Sequence, residues 1–118
     1  MNTSATLAGL LSRTRFRVHN EADLQRAIAH VFDGEGITFE REVTLSEGDR
    51  VDFLVGTIGV ELKVDGSLSS VTRQLHRYAA SPLVSELLLV TTRMRHRNMP
   101  GSFNGKAITV VHLIGSVF

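Results

Sequence analysis

Asp52, Glu61 and Lys63 are the residues whose types and spacing could do chemistry. Two carboxylates held side by side repel each other, and a proton or a divalent cation between them removes the repulsion. Mg²⁺ is such a cation: it binds oxygen donors, takes one or two carboxylates and keeps several of its waters. A neighbouring ammonium supplies part of the compensation, and a divalent metal would supply more. The chemistry implied is a Mg²⁺ site completed by water and a phosphate oxygen.

The segment that would position these groups runs from Arg50 to Val64 and reads RVDFLVGTIGVELKV. Two alternating runs flank Gly56-Thr57, and a glycine-first two-residue turn matches the twist of a tight hairpin. Pairing Val55 with Ile58 sets Leu54 opposite Gly59, Phe53 opposite Val60, Asp52 opposite Glu61 and Arg50 opposite Lys63. Side chains alternate between faces with period two. One face then carries Val51, Phe53, Val55, Ile58, Val60, Leu62 and Val64. The other carries Arg50, Asp52, Leu54, Gly59, Glu61 and Lys63. A slip of one residue would bury charge, so the apolar pattern itself selects this parity. Directly opposed Cβ atoms lie about 4.5–5.5 Å apart. At that separation two carboxylates repel by roughly 3 kcal/mol at an effective dielectric of about 20.

The flanking sequence supplies the rest of a domain. Asn20 is an N-cap, with Glu21 and Asp23 in the first turn, where a helix favours anions. Leu24, Ala27, Ile28, Val31 and Phe32 follow helical spacing until Gly34 and Gly36. Residues 37–45 read as a strand, and 46–49 as a turn into the hairpin. A second helix spans about 67–80, with Leu68, Val71, Leu75 and Tyr78/Ala79 as its buried stripe and Ser81-Pro82 as its stop. Leu87-Leu88-Leu89-Val90 reads as a strand buried on both faces. Residues 93–106 read as a long loop and 108–113 as a last strand, while 1–18 form an extension with no assigned element. The expected order is α-β-β-β-α-β-β, an α/β sandwich with a mixed central sheet, in a single domain over residues 1–118.

Composition sets the outer bounds. The chain has 118 residues, 42% apolar and 21% charged, which are ordinary globular values. It has no cysteine, so a disulfide scaffold and thiolate zinc sites are excluded. The formal charge of +1 gives no global field for nucleic acid, but arginines cluster at 13, 15 and 17, at 73 and 77, and at 93, 95 and 97. No stretch reaches the roughly 18 apolar residues of a membrane span, and residues 5–11 make a poor signal peptide. The expected location is the cytoplasm, or a host's cytoplasm for a phage-encoded chain. The five histidines lack metal-ligand spacing and read as structural or surface residues. No Gly-x-Ser-x-Gly or Walker sequence occurs.

An Asp at the start of a strand, a spacer, then Glu61-Leu62-Lys63 and a helix carrying Gln74-x-x-x-Tyr78 resembles the PD-(D/E)XK nuclease superfamily. The resemblance covers roughly residues 20–92, and Val51 stands where the name implies proline. It implies a restriction-endonuclease-like α/β/α sandwich and a Mg²⁺-dependent deoxyribonuclease, with Mn²⁺ as substitute and Ca²⁺ binding without supporting cleavage. Asp52, Glu61, the Leu62 backbone carbonyl and Glu21, directly or through water, would hold the metal. Lys63 would activate water or stabilise the developing charge, and Gln74 would orient that water or a phosphate oxygen. By size the chain is similar to Holliday junction resolvases and to short phage or mobile-element nucleases.

The partner implied is DNA, with contacts from Arg73, Arg77 and Tyr78 on the second helix and from Arg93, Arg95 and Arg97 in the long loop. A homodimer would let two sites cut paired strands. Glu21 precedes Leu24 by three and Ile28 by seven, so it sits on the core-facing edge of its helix and can reach the sheet. Glu42 is expected to point outward if Val43 and Leu45 face the core. The rival reading is a catalytically silent nuclease-fold module that binds DNA or serves assembly, with salt-sensitive affinity and no metal requirement.

Overall fold

A computed structural model describes residues 2–114. It is an α/β protein with a mixed six-stranded sheet and three α-helices. In chain order these are α1 (Ser4–Arg13), α2 (Glu21–Gly34), β1 (Glu40–Ser46), β2 (Asp49–Val55), β3 (Ile58–Lys63), α3 (Leu68–Tyr78), β4 (Glu86–Thr91), β5 (Ser102–Phe103) and β6 (Lys106–His112). The strand order is β1-β2-β3-β4-β6-β5. β1, β2 and β3 meander antiparallel, β3, β4 and β6 run parallel, and β5 pairs antiparallel with β6.

The sheet is buried on both faces because its central strands alternate between two cores. Leu88 and Val90 of β4 pack with Leu7 and Leu11 of α1 and Leu24, Ile28 and Phe32 of α2. Leu87 and Leu89 pack with Val71, Leu75, Tyr78 and Ala79 on the α3 side. Phe32, Phe39 and Phe53 meet with ring centroids 5.5–5.6 Å apart and fix α2 over the hairpin. Asn20 caps α2 by accepting from the Asp23 amide, and Ser67 caps α3 by accepting from the Ser70 amide.

The order departs from expectation at two places. Residues 1–18 are not a loose extension: Thr3 and Thr6 form a reciprocal capping box for α1, and Leu7, Leu11, Phe16 and Val18 are buried in the α2-side core. Residues 93–106 are not a plain loop either. They contain a 3₁₀ turn, Met94–Asn98, and the short strand β5. His96 in that turn is fully buried, with its ring nitrogens 2.6 Å from Thr91 Oγ1 and 2.8 Å from the Gly66 carbonyl oxygen. The turn is thereby anchored to the connection between β3 and α3. No helix among the described residues is long and apolar enough to cross a membrane.

Candidate active site

The β2–β3 hairpin closes as its sequence requires and then comes apart where the acids stand. Gly56 takes φ 61°, and the register Val55↔Ile58, Leu54↔Gly59 and Phe53↔Val60 follows. Pairing stops there. The Thr92 amide donates to the Lys63 carbonyl at 3.1 Å, so Lys63 turns its backbone to the β4 side and Leu62, by strand alternation, turns to β2. Instead of a backbone carbonyl, the Leu62 amide finds Asp52 Oδ2 at 2.8 Å. The Asp52 amide in turn donates to Glu61 Oε1 at 3.2 Å. Side chains have replaced the ladder.

The cause lies one strand away. Glu42 adopts φ 52°, a left-handed conformation unusual for a non-glycine residue, and the β1–β2 register passes over the Glu42–Asp52 step. Across this step β2 changes face. Phe53 belongs to the α2-side core, yet Val51 packs on the α3 side with Leu54. The simple parity that placed Val51 beside Phe53 is therefore corrected. The rotation turns the Asp52 amide toward β3 and brings its carboxylate against the end of that strand.

Burial sets the electrostatics. Glu61 is 3% exposed, and its carboxyl is pushed up to about 8, by burial first and by the Asp52 charge second, with Lys63 opposing. Asp52 is raised too, chiefly by burial, against the Leu62 amide bond, the Glu61 hydrogen bond and Lys63. Lys63 Nζ lies 3.5 Å from Glu61 Oε2. The expected grouping of two acids and one amine is present, on the same end of one hairpin.

Glu21 faces this group from the start of α2. Its carboxyl is raised mainly by burial, is drawn down by Lys63, is pushed up by Asp52 and is hydrogen-bonded by the Val64 amide. Glu21, Gln25, Glu42, Arg50 and Asp52 line one cleft of about 300 Å³. Glu42 thus points away from the α3-side core, where Val43 and Leu45 pack, and in doing so edges the cleft. Gln25 went unnoticed in the sequence. Its Nε2 donates to Asp52 Oδ1 at 3.2 Å, while its Oε1 accepts from Arg41 Nη2 at 3.0 Å. The signal was its position four residues after Glu21, on the same helical face.

No family model, curated protein or solved structure matches the chain.

On the other side of the hairpin, Tyr78 projects its hydroxyl from α3 to the Arg50 carbonyl at 3.0 Å and to Glu61 Oε2 at 3.4 Å. Gln74 Nε2 donates to that hydroxyl at 2.8 Å. Burial and the Glu61 charge push the Tyr78 phenol upward, so it stays protonated as a donor. Tyr78 was expected among the DNA contacts; at 2% exposure it is a core residue whose tip holds the site. Gln74 reaches Glu61 only through Tyr78. Beside them Thr44, Ser46, Arg50 and Gln74 line a second cleft, of about 450 Å³.

The expected arginine contacts divide. Arg77 Nε bonds Asp49 Oδ1 at 3.1 Å and ties α3 to the start of β2, leaving the rest of its guanidinium outward. Arg73 is exposed on α3. Arg93 Nε donates to the Val64 carbonyl, and Arg95 donates to the Gly66 carbonyl and to Asp65. Both arginines are thus tied to the β3–α3 connection while their side chains stay about half exposed, and Arg97 is exposed beside them.

The donor set can be tested against a metal by its chemistry. Among the described residues no three His, Cys, Asp or Glu side chains come together as a metal group. Glu21 shares the cleft with Asp52 without joining such a group. Two carboxylates, a nearby backbone carbonyl at Leu62 and water remain, and that set fits a hard cation that keeps part of its hydration.

Proposed function

We propose that this chain is a metal-dependent nuclease of the PD-(D/E)XK type, hydrolysing a DNA phosphodiester in the cleft beside Asp52. The observation that carries the reading is the opened end of the hairpin, where the buried Glu61 and Asp52 stand together beside Lys63. Folding gains nothing from two acids driven out of water together. Their charged forms become favourable when a divalent cation joins them. The antiparallel meander β1-β2-β3 followed by parallel β4 and β6, with helices on both faces, is compatible with the restriction-endonuclease-like arrangement.

Asp52 and Glu61, with the Leu62 carbonyl, would hold Mg²⁺ or Mn²⁺. Bound there, the ion supplies a more acidic water and charge neutralisation at the phosphate. The protein's own groups do the rest. Leu62 and Gln25 each donate to one oxygen of Asp52 and fix its plane. Tyr78, held by Gln74, fixes Glu61 from the α3 side. Lys63 sets an ammonium beside the scissile group, where it stabilises the charge gained as water adds to phosphorus and one P–O ester bond breaks. Arg50, exposed at the boundary of both clefts, faces the path of the flanking phosphates.

The test is cleavage of a panel comprising a four-way junction, a flap, a duplex and a single strand, with Mg²⁺, Mn²⁺ or Ca²⁺. Cutting with the first two and none with Ca²⁺ supports the reading, provided Glu61→Ala and Lys63→Ala abolish it. Salt-sensitive DNA binding with no cutting under any ion replaces it with the silent-module reading.

A further inference from the structure

The outer face of α3 carries a pocket that the catalytic grouping does not use. It has a volume of about 500 Å³ and is lined by Arg73, His76 and Arg77 of α3 and by Phe103 of β5. His76 and Phe103 meet edge to face, ring centroids 5.1 Å apart and planes at 85°. Arg73 and Arg77 lie four residues apart, one turn of the helix, and both line the pocket with the aromatic pair. Arg77 meets Asp49 through Nε alone, and its side chain stays about half exposed.

An apolar, aromatic floor flanked by two cations matches one ligand chemistry: a flat base carrying a phosphate. Stacking on an aromatic ring tolerates any base, because every base presents a π-face, and a guanidinium follows the backbone. The base must be unpaired, since a base inside a duplex presents only its edge. The pocket is also connected to the cleft. Arg50 borders both the Asp52 cleft and its neighbour beside Gln74, and Asp49 of that neighbour bonds Arg77 of the pocket. We propose that the pocket seats an unpaired nucleotide of the substrate strand, its base against Phe103 and His76 and its phosphate between Arg73 and Arg77. This rests on the nuclease reading for the route of the strand, and it makes single-stranded or frayed nucleic acid the preferred substrate.

The experiment measures anisotropy of fluorescein-labelled oligothymidylate, its abasic counterpart and a blunt duplex, without added divalent ion so that nothing is cut. Phe103→Leu keeps apolar volume against the α3-side core, and His76→Ser alters an exposed residue, so both are expected to fold. Each should weaken oligothymidylate binding by about tenfold and leave the duplex unchanged. The abasic strand should bind wild type and Phe103→Leu alike. Equal affinity of wild type and both variants for oligothymidylate overturns the proposal, as does a parallel loss on the duplex. Cleavage is read separately: a wild type that cuts with Mg²⁺ while Phe103→Leu binds normally removes the pocket and keeps the nuclease. Stacking-dependent binding without any cutting removes the nuclease and keeps the pocket.

Discussion

The two ends of the β2–β3 hairpin are built from the same strands and do opposite work. At the closed end, Val55 faces Ile58 and Phe53 faces Val60 in regular register, and every one of these side chains is buried and apolar. Beyond Phe53 and Val60 on the same strands, the ladder is gone, and carboxylates accept from the amides that a neighbouring strand would have served. The closed end lowers the free energy of the fold; the open end raises it. A raised Glu61 and a raised Asp52 mean that the folded protein holds these charges less comfortably than the unfolded chain does. Such a reversal inside one element is what a site tuned for a cation requires.

The comparison breaks first at the closed end. Phe53 is fully buried and packs against Phe32 and Phe39, so Phe53→Ala is expected to cost about 3–5 kcal/mol, as large-to-small core changes do. Urea denaturation measures it. A loss below about 1 kcal/mol would mean that the closed end is not the anchor.

The open end responds to pH instead. Glu61 rises from 4.5 to about 8 on folding, so between those values the folded state binds more protons than the unfolded one. Stability is then full below the lower value and declines as pH rises toward the upper one, by a total on the order of a few kcal/mol without divalent ions. Glu61→Gln should flatten that slope and melt higher than wild type at alkaline pH. Mg²⁺ should restore the wild type alone. An unchanged slope in Glu61→Gln assigns the proton to another group.

Catalysis is the third test. Asp52→Ala, Glu61→Ala and Lys63→Ala are each expected to lower cleavage at least about a hundredfold, or roughly 3 kcal/mol of barrier. Near-ultraviolet circular dichroism should report an intact fold for all three. Asp52→Ala orphans the Leu62 amide and Glu61→Ala the Asp52 amide; the bond lost in Asp52→Ala is the shorter one, so its melting point should fall further.

How far the sequence reaches is visible in these same residues. The register of the hairpin's closed end was legible because a glycine-first turn and alternation select the pairing of Val55 with Ile58, while the expected Asp52–Glu61 and Arg50–Lys63 pairs do not form. The burial of β4 on both faces was legible from an unbroken apolar run. The face change at Val51 was not, because it depends on the left-handed backbone of Glu42 in another strand, and period two carries no trace of that. The helix over residues 4–13 was missed although Thr3 and Thr6 spell a capping box and Leu7, Leu10 and Leu11 keep helical spacing, since the run is short and Gly9 interrupts it. Arg93 and Arg95 looked like a clamp because their partners, Val64, Asp65 and Gly66, are about thirty residues away in sequence. Local pattern fixed the hairpin turn and the long amphipathic helices; it is silent on a face change set by another strand and on which cations the fold ties to itself.

Gln25 gives the smallest and most discriminating effect. It is the link by which α2 feels the opened strands, with Arg41 behind it holding the amide so that its nitrogen faces Asp52. Gln25→Ala removes one donor to a partly buried carboxylate, a loss of about 1–2 kcal/mol, while leaving the Leu62 bond in place. Asp52 is already raised, and losing a donor to its charged form raises it further. The acidic limb of the pH–rate profile should therefore move to higher pH, and more Mg²⁺ should be needed for half-maximal rate. The rate at alkaline pH and saturating Mg²⁺ should hardly change. Gln25→Glu separates orientation from charge, since it keeps the shape, adds a like charge beside Asp52 and should shift the limb further than alanine. A uniform drop in rate at every pH, with no shift of the limb, would instead make Gln25 a packing residue and confine the work of the open end to the hairpin itself.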